Sequence, residues 1–521
     1  MTAATAHIDH AALDRLFAPF DRTDAPGYAV GVAVRGQPAY RRGFGMASIE
    51  LPVALSPSIR MRIGSTTKHF TALAMLLLEE AGALSLDDSP RAHLPELPSW
   101  ANAMTLRQLL AHTSGMRDSL DILLHATGPG TTLPADYQVR ALARIDDVNF
   151  APGSSWSYNN GGYVLAAEII SRVSGMSFPA FMRENIFLPI GMRDSLVRPL
   201  DTDLVPNSAT LHVPRPDGGY DRGVFGAPIG GEGGIASTVD DMLLWLRHMD
   251  DPVIGSDQSW TALRTPITSH GYGLGLFVDA HRGLERWHHA GAVMGGSSQM
   301  VKIPAAGLDI VILSNGRSSL EGYGLADAII DACLADLPPV PDDIQGRATT
   351  GTYYSRATGR VMRLADKDGA QMVAIGAITL PARTDADGLL SLPILPTDMT
   401  IALDEGGDVL TVSEFGEVDA LVRLALPTDA DARSIIGDYG NEAASLTASI
   451  SIEAGAEAAR LVLSSPMGAT TYQLTPLADG LWEATGGTGL PLVITLEFGD
   501  GGFRLTTGRT TRLPFYRRML A

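Results

Sequence analysis

Apolar and polar positions divide this chain into a mixed half and a strand-only half. Tyr28 to Val34 (YAVGVAV) is a continuous apolar run that reads as a buried strand. Gly36 suits a turn, and Pro38 to Phe44 reads as the returning strand. Phe70, Leu73, Ala74, Leu77, Leu78 and Ala81, closed by Gly82, form one helical stripe with a glycine stop. A short helix is expected over Thr105 to Ala111, and a long helical region from near Asp136 until Pro152-Gly153 breaks it. Ser154 to Gly162 reads as a loop, Tyr163 to Val173 as a helix ended by Gly175, and 199–229 as irregular. Ser237-Thr238 followed by Asp240 and Asp241 marks another helix start. Tyr272 to Val278, Met300 to Ile303 and Asp309 to Leu313 read as strands, and Leu325 to Leu334 as a closing helix.

Leu337 to Asp343 (LPPVPDD) is the clearest linker. Beyond it, short alternating segments between Gly and Asp turns point to small β-barrels or sandwiches. Gly351-Thr352-Tyr353-Tyr354 and Gly437-Asp438-Tyr439 give a faint repeat, so two β-units are expected, joined at Pro427 to Arg433. The division is 1–336, a linker at 337–345, then 346–430 and 431–521, in an α+β fold class.

The chain has 521 residues, 45% of them apolar and 19% charged, enough to bury large cores. A formal net charge of −19 with no basic stripe argues against nucleic-acid binding. Cys333 is the single cysteine, so neither an internal disulfide nor a cysteine-based metal site is expected. No signal peptide and no run of transmembrane length is read, and a cytoplasmic location is the default expectation.

Candidate chemistry begins at Ile63-Gly64-Ser65-Thr66-Thr67-Lys68. Ser65 would stand at the entrance of the apolar helix and Lys68 one turn in, on the same side. A hydroxyl there has a base beside it and unpaired N–H groups near a developing oxyanion. An N-cap role accounts for Ser65 as well. Lys68 is one of only three lysines, with Lys302 and Lys367, and an early lysine in an apolar helix is costly to bury without a task or partner. Tyr158-Asn159-Asn160 can aim a phenol and a carboxamide at one point. Neighbouring positive charge is expected to lower the phenol's pKa for proton transfer, and the carboxamide to hold a substrate amide. A turn with a packed tyrosine is the structural alternative. His289-Ala290-Gly291-Ala292 reads as the start of a strand whose glycine admits a substrate backbone. A core histidine explains His289 too, and His288 stands beside it.

In this order and spacing the set resembles the serine β-lactamase and penicillin-binding-protein superfamily, with Ser-x-x-Lys, Tyr-x-Asn and His-x-Gly in place of Lys-Thr-Gly. The segments HTSGM (112–116) and GGIASTVDDM (233–242) resemble those of its class C-like branch, peptidase family S12, over about residues 10–335. Length, His-x-Gly, the SIIGDY stretch and FYRR are similar to the three-domain D-aminopeptidases of that family. The resemblance implies a β-lactamase-like catalytic domain with two antiparallel β-barrels. It implies a cytoplasmic homodimer that releases N-terminal D-amino acids from small peptides, amides or esters, without cofactor, metal or membrane. It further implies Ser65 as nucleophile, Lys68 as general base and Tyr158 as proton shuttle. Asn160 and His289 would bind substrate, and the Ser65 and Ala292 amides, beside Gly291, would form the oxyanion hole. A loop of the last domain recognises the substrate amine in those enzymes. The matching stretch here, 483–491, is short, and its only acid is Glu483. A carboxylesterase and a non-catalytic penicillin-binding-like protein are the alternatives. A neutral His289 argues against efficient β-lactam or carboxypeptidase chemistry.

Overall fold

The computed structural model describes residues 6–340, 343–344, 348–425, 431–453, 458–486 and 492–518. Its centre is a six-stranded antiparallel sheet ordered Phe277–His281, Leu284–Val293, Gly296–Ile303, Leu308–Ser314, Tyr28–Val34 and Gln37–Phe44. Both faces of its inner strands Tyr28–Val34 and Leu308–Ser314 are covered, which is why these two are largely apolar rather than alternating. Tyr28, Val30, Val32, Ile310 and Ile312 join one core with the helices His10–Phe17 and Ser319–Cys333. Ala29, Ala33, Met300, Val311 and Leu313 join the other, with Lys68–Glu80 and Val239–His248. A β-carbon on Gly31 would lie 2.4 Å from Val239 Cγ1, so the bare position lets that helix close onto the sheet.

A second layer of helices completes the N-terminal half. The stripe seen in the sequence becomes Lys68–Glu80, preceded by a 3₁₀ turn at Gly64–Thr67. Phe70 and Leu73 are fully buried there, each worth roughly 1.5–3 kcal/mol of transfer energy. The helix packs on Asn160–Ser174, capped by Asn159 and ended by Gly175 at φ +70. Two expectations fail, and one helix goes unmarked. The helical region near Asp136 is only Tyr137–Leu142, and the stretch 143–159 is irregular. Ser119–Thr127 is a helix that the pattern does not mark. Tyr272 to Val278 is not one strand: Gly275 has φ +75 and lies against the Lys68–His69 backbone, and regular pairing starts at Phe277.

Beyond 350 a nine-stranded antiparallel sheet runs from Gly351–Tyr354 to Glu417–Arg423. Its edge strands Ile378–Pro381 and Arg383–Thr384 are neighbours in sequence but not hydrogen-bonded, so it curls without closing. The last sheet, Gly437–Asn441 to Leu513–Arg517, is a closed eight-stranded barrel. The two short Gly/Tyr repeats open these two sheets. The expected joint at 427–433 lies partly outside the described residues. Among those described, no single helix is long and apolar enough to cross a membrane.

Both β-units dock on the N-terminal half. Ser119–Thr127 packs on the barrel strands Ala459–Ser465 and Gly468–Ala478, and Tyr472 Oη donates to the His125 carbonyl at 2.7 Å. Phe415, at a hairpin tip of the nine-stranded sheet, lies 4.4 Å from the ring centroids of both Trp156 and His270.

His69 is fully buried in a stack with Phe70 and Trp245, and burial pushes its pKa down to about 3. Unfolded, the ring titrates near 6.5. Its neutral burial therefore contributes stability above that value that is lost as pH falls towards about 3. The melting temperature should fall between pH 7 and pH 5, and His69→Phe should flatten that slope. Parallel melting curves against pH for the two proteins would refute the assignment.

Candidate active site

The site is built where the nucleophile helix, the start of Asn160–Ser174 and the edge of the central sheet meet. Lys68 Nζ lies 3.2 Å from Ser65 Oγ, and it donates to Asn160 Oδ1 at 2.9 Å and to the Glu232 carbonyl at 2.7 Å. All three partner atoms are neutral. Burial is the largest influence and pushes Lys68 down to about 7. Glu232 opposes that drop, Arg509 adds to it and Asp118 opposes it. A lysine so placed can take a proton from Ser65 near neutral pH.

Tyr158 sits over this pair. Lys68 Nζ and Arg509 Cζ lie 4.8 and 4.9 Å from its ring centroid. The expectation of a lowered phenol pKa is corrected. Burial outweighs the pull of Ser65 and Arg509, and the phenol is raised above its ordinary value. Tyr158 therefore stays protonated, which suits a proton donor or relay, and Lys68 is the group placed to act as a base. Its Oη has no hydrogen-bond partner among the described residues, as suits a group waiting for a leaving atom.

Asn160 is placed by its own helix start. Its Oδ1 receives Lys68, and its backbone N–H and Nδ2 donate to Asp118 Oδ2 at 3.2 and 3.4 Å. Both ends of the carboxamide are engaged, so it holds the base rather than standing free for a substrate amide.

His289 lies within Leu284–Val293 rather than at its start. It is buried, and its Nδ1 proton goes to the Ala290 carbonyl at 2.6 Å. Tyr272 Oη stands 3.5 Å from Nε2 and 3.1 Å from His112 Nε2, while His112 Nδ1 accepts the Asn159 N–H at 3.1 Å. With that end of His112 accepting, its Nε2 carries the proton, and the Tyr272 hydroxyl can turn towards His289. Burial, then the charge of Lys68, holds His289 well below the ordinary histidine value, so it is a neutral ring. His288 is occupied elsewhere, with Nε2 3.0 Å from Asp279 Oδ2.

Gly291 is required for a different reason than the sequence suggested. A β-carbon there would lie 1.9 Å from the Ile63 carbonyl and 2.6 Å from Ser298 Oγ. Its bareness admits the nucleophile turn, not a substrate backbone. Ser298 Oγ donates to that carbonyl at 2.7 Å, and Thr66 Oγ1 lies 2.8 Å from Ser298 Oγ. Gly64, at φ +52, is closed against Ala292: a β-carbon on it would meet the Ala292 amide nitrogen at 2.9 Å. The strand Phe277–His281 pairs only as far as His288, so the outer edge of 289–293 is not bonded to it and faces the nucleophile turn.

Glu483 is not brought to this cluster by any hydrogen bond of its own. It lies in the barrel wall and pairs with Arg363 of the nine-stranded sheet at 2.7 Å. Residues 487–491 of the expected recognition loop lie outside the described residues. The barrel reaches the site through a different hairpin, 507–512. Arg509 Nη1 donates to the fully buried Asp118 at 3.2 Å. Sequence reasoning missed Arg509, Asp118, Tyr272, His112 and Glu232 as site residues. Arg509 and Asp118 lie in stretches without periodicity, and Tyr272 opens a stretch that reads only as a strand. His112 opens the HTSGM segment, and Glu232 stands just before GGIASTVDDM, where a lone charge in the Gly230 to Gly234 cluster is the available signal. Among the described residues, no group of three or more His, Cys, Asp or Glu could hold a metal.

Comparison with known proteins gives the family and the fold. The family model described as "Beta-lactamase" matches residues 13–334. A D-aminopeptidase of Gluconobacter oxydans is 29% identical over 360 residues, 67% of this chain and 66% of that protein. The octameric penicillin-binding protein homologue from Pyrococcus abyssi superposes with a TM-score of 0.55 at 20% identity, covering 98% of this chain and all of the other. The D-amino acid amidase from Ochrobactrum anthropi SV3, complexed with L-phenylalanine, gives 0.54 at 21% identity, covering 62% and 98%. At these identities the two structures speak for the fold.

The geometry sets two expectations. The rate constant kcat/KM should rise with pH through about 7 as Lys68 loses its proton. A profile flat from pH 6 to 8 would remove Lys68 as the base. Gly291→Ala should cost about 1–3 kcal/mol in urea unfolding, because the new methyl group displaces Ile63. It should also depress turnover, since Ile63 adjoins the nucleophile turn.

Proposed function

The chain belongs to the β-lactamase family, and we propose that it is a serine hydrolase acting through an acyl-enzyme on D-amino acid amides, esters or short peptides. The observation that carries the reading is a buried lysine amine, held by neutral acceptors, 3.2 Å from Ser65 Oγ. The name of the D-aminopeptidase relative supports the substrate class.

Ser65 attacks the carbonyl carbon as Lys68 takes its proton, and the tetrahedral oxyanion is received by the Ser65 and Ala292 amides. Tyr158 passes a proton to the leaving amine or alkoxide and recovers one from Lys68. Water then enters, gives its proton back through the Tyr158–Lys68 pair, and releases the acid and free Ser65. Asn160 and the Glu232 carbonyl keep the amine in place throughout. A cytoplasmic location and a homodimer accompany this reading as expectations from the resemblance alone.

The test is an initial-rate comparison of D-alanine p-nitroanilide, L-alanine p-nitroanilide and p-nitrophenyl butyrate, with Ser65→Ala as blank. The D-anilide should be cleaved and its L-isomer spared, and Ser65→Ala should lose about 10³-fold or more. Turnover of the butyrate ester alone would favour a carboxylesterase. No serine-dependent turnover of any substrate would leave a non-catalytic protein.

A further inference from the structure

The hairpin 507–512 is fixed by groups other than the Arg509 guanidinium. Thr507 and Thr510 hydroxyls donate to Asp121 Oδ2 at 2.5 and 2.8 Å. Asn149 Nδ2 donates to the Arg509 carbonyl at 2.8 Å and accepts the Thr511 N–H at 3.0 Å through Oδ1. Arg117 donates to the Thr511 carbonyl at 2.9 Å. The barrel would stay docked through these contacts with any side chain at 509.

The guanidinium is therefore free for another task. It makes one hydrogen bond, from Nη1 to Asp118, and its Nε and Nη2 have no partner among the described residues. The side chain keeps 38% of its surface open, beside the Tyr158 ring and one residue's reach from the Ser65–Lys68 pair. A forked donor with an unused edge matches a carboxylate. The acids nearby offer nothing to an ammonium. Asp118 is sealed, with Oδ2 receiving Asn160 and Arg509 and Oδ1 receiving the Leu120 N–H at 3.0 Å. The Glu232 carboxylate is buried and takes Gln138 Nε2 at 3.3 Å and the Gly230 N–H at 2.9 Å. Glu483 is spent on Arg363.

We propose that Arg509, delivered from the last barrel, is the specificity-determining residue of this site, and that its open edge binds a carboxylate on the substrate. Resting on the hydrolase reading above, this narrows the substrates to D-amino acid derivatives that carry an anionic group. That group stands either on the acyl side, as in an N-dicarboxyl-acylated residue, or on the leaving side, as in a dipeptide with a free carboxyl terminus.

Steady-state kinetics on the full chain separate these sources. On the acyl side, N-succinyl-D-alanine p-nitroanilide is compared with its N-acetyl analogue and with D-alanine p-nitroanilide. On the leaving side, D-alanyl-p-aminobenzoate is compared with D-alanine anilide. The wild type should prefer the carboxylated member of one set. Arg509→Gln should lower that preference about tenfold or more, mainly through KM, and Arg509→Lys should restore part of it. Thr510→Val, which loosens the hairpin and leaves the fork, should change both members of a pair by the same factor. An equal loss on all substrates in Arg509→Gln, or a wild type that prefers the carboxylated member of neither set, would overturn the proposal and leave Arg509 as a docking residue. If no D-anilide is cleaved, the D-amino acid reading fails by itself. The pair p-nitrophenyl hydrogen adipate and p-nitrophenyl hexanoate then decides Arg509 by the same ratio.

Discussion

The site depends on burying the Lys68 amine without a carboxylate partner. Lys302 shows the ordinary solution in the same molecule: it is equally buried, but Asp309 and Asp250 lie 2.8 and 2.7 Å from its Nζ. An ammonium paired in that way is structural. Lys68 has a serine, a carboxamide and a backbone carbonyl instead, and the desolvation cost falls on the charged form. Much of the surrounding architecture supplies those acceptors. The glycine cluster at 230–234 places the Glu232 carbonyl, the Asn159 cap starts the helix that offers Asn160, and Asp118 grips Asn160 from behind.

The loops that complete the site have little regular structure of their own. Residues 143–159 pass through Pro152-Gly153 and Trp156 before reaching Tyr158. They are steadied from outside: His112 accepts the Asn159 N–H, Phe415 of the nine-stranded sheet packs on Trp156, and the barrel hairpin bonds Asn149. Functional loops on a rigid frame are the common arrangement. Here the frame includes both β-units as well as the catalytic sheet.

Ser65, Lys68, Tyr158 and Asn160 were legible in the sequence because each sits at a marked junction, a helix start or a Pro-Gly break. The strands Tyr28–Val34 and Leu308–Ser314 were legible because burial on both faces leaves an unbroken apolar run, and the helix Lys68–Glu80 because it leaves a periodic stripe. The failures share a cause. Gly291 reads as substrate access because a sequence does not show that the Ile63 carbonyl occupies the space. Tyr158 reads as a phenol of lowered pKa because charge is visible in a sequence and burial is not. Glu483 stands out because it flanks the expected loop, and its pairing with Arg363 is a contact between two sheets. Arg509 meets Asp118 across 391 residues, a separation at which no local pattern operates.

That separation bears on the order in which the molecule is made. The nucleophile, the base and the loop that carries Tyr158 all precede the barrel in the chain, and domains fold largely as units from the N-terminal side during synthesis. Closing a loop of nearly four hundred residues costs little more entropy than closing a much shorter one, because the cost grows only as the logarithm of length. It does make the hairpin a late arrival. Asp118 must wait for its guanidinium, and until the barrel docks its carboxyl has Asn160 and Leu120 but no cation. With the role proposed for Arg509, the growing chain thus carries its reacting side chains before the one that selects their substrate.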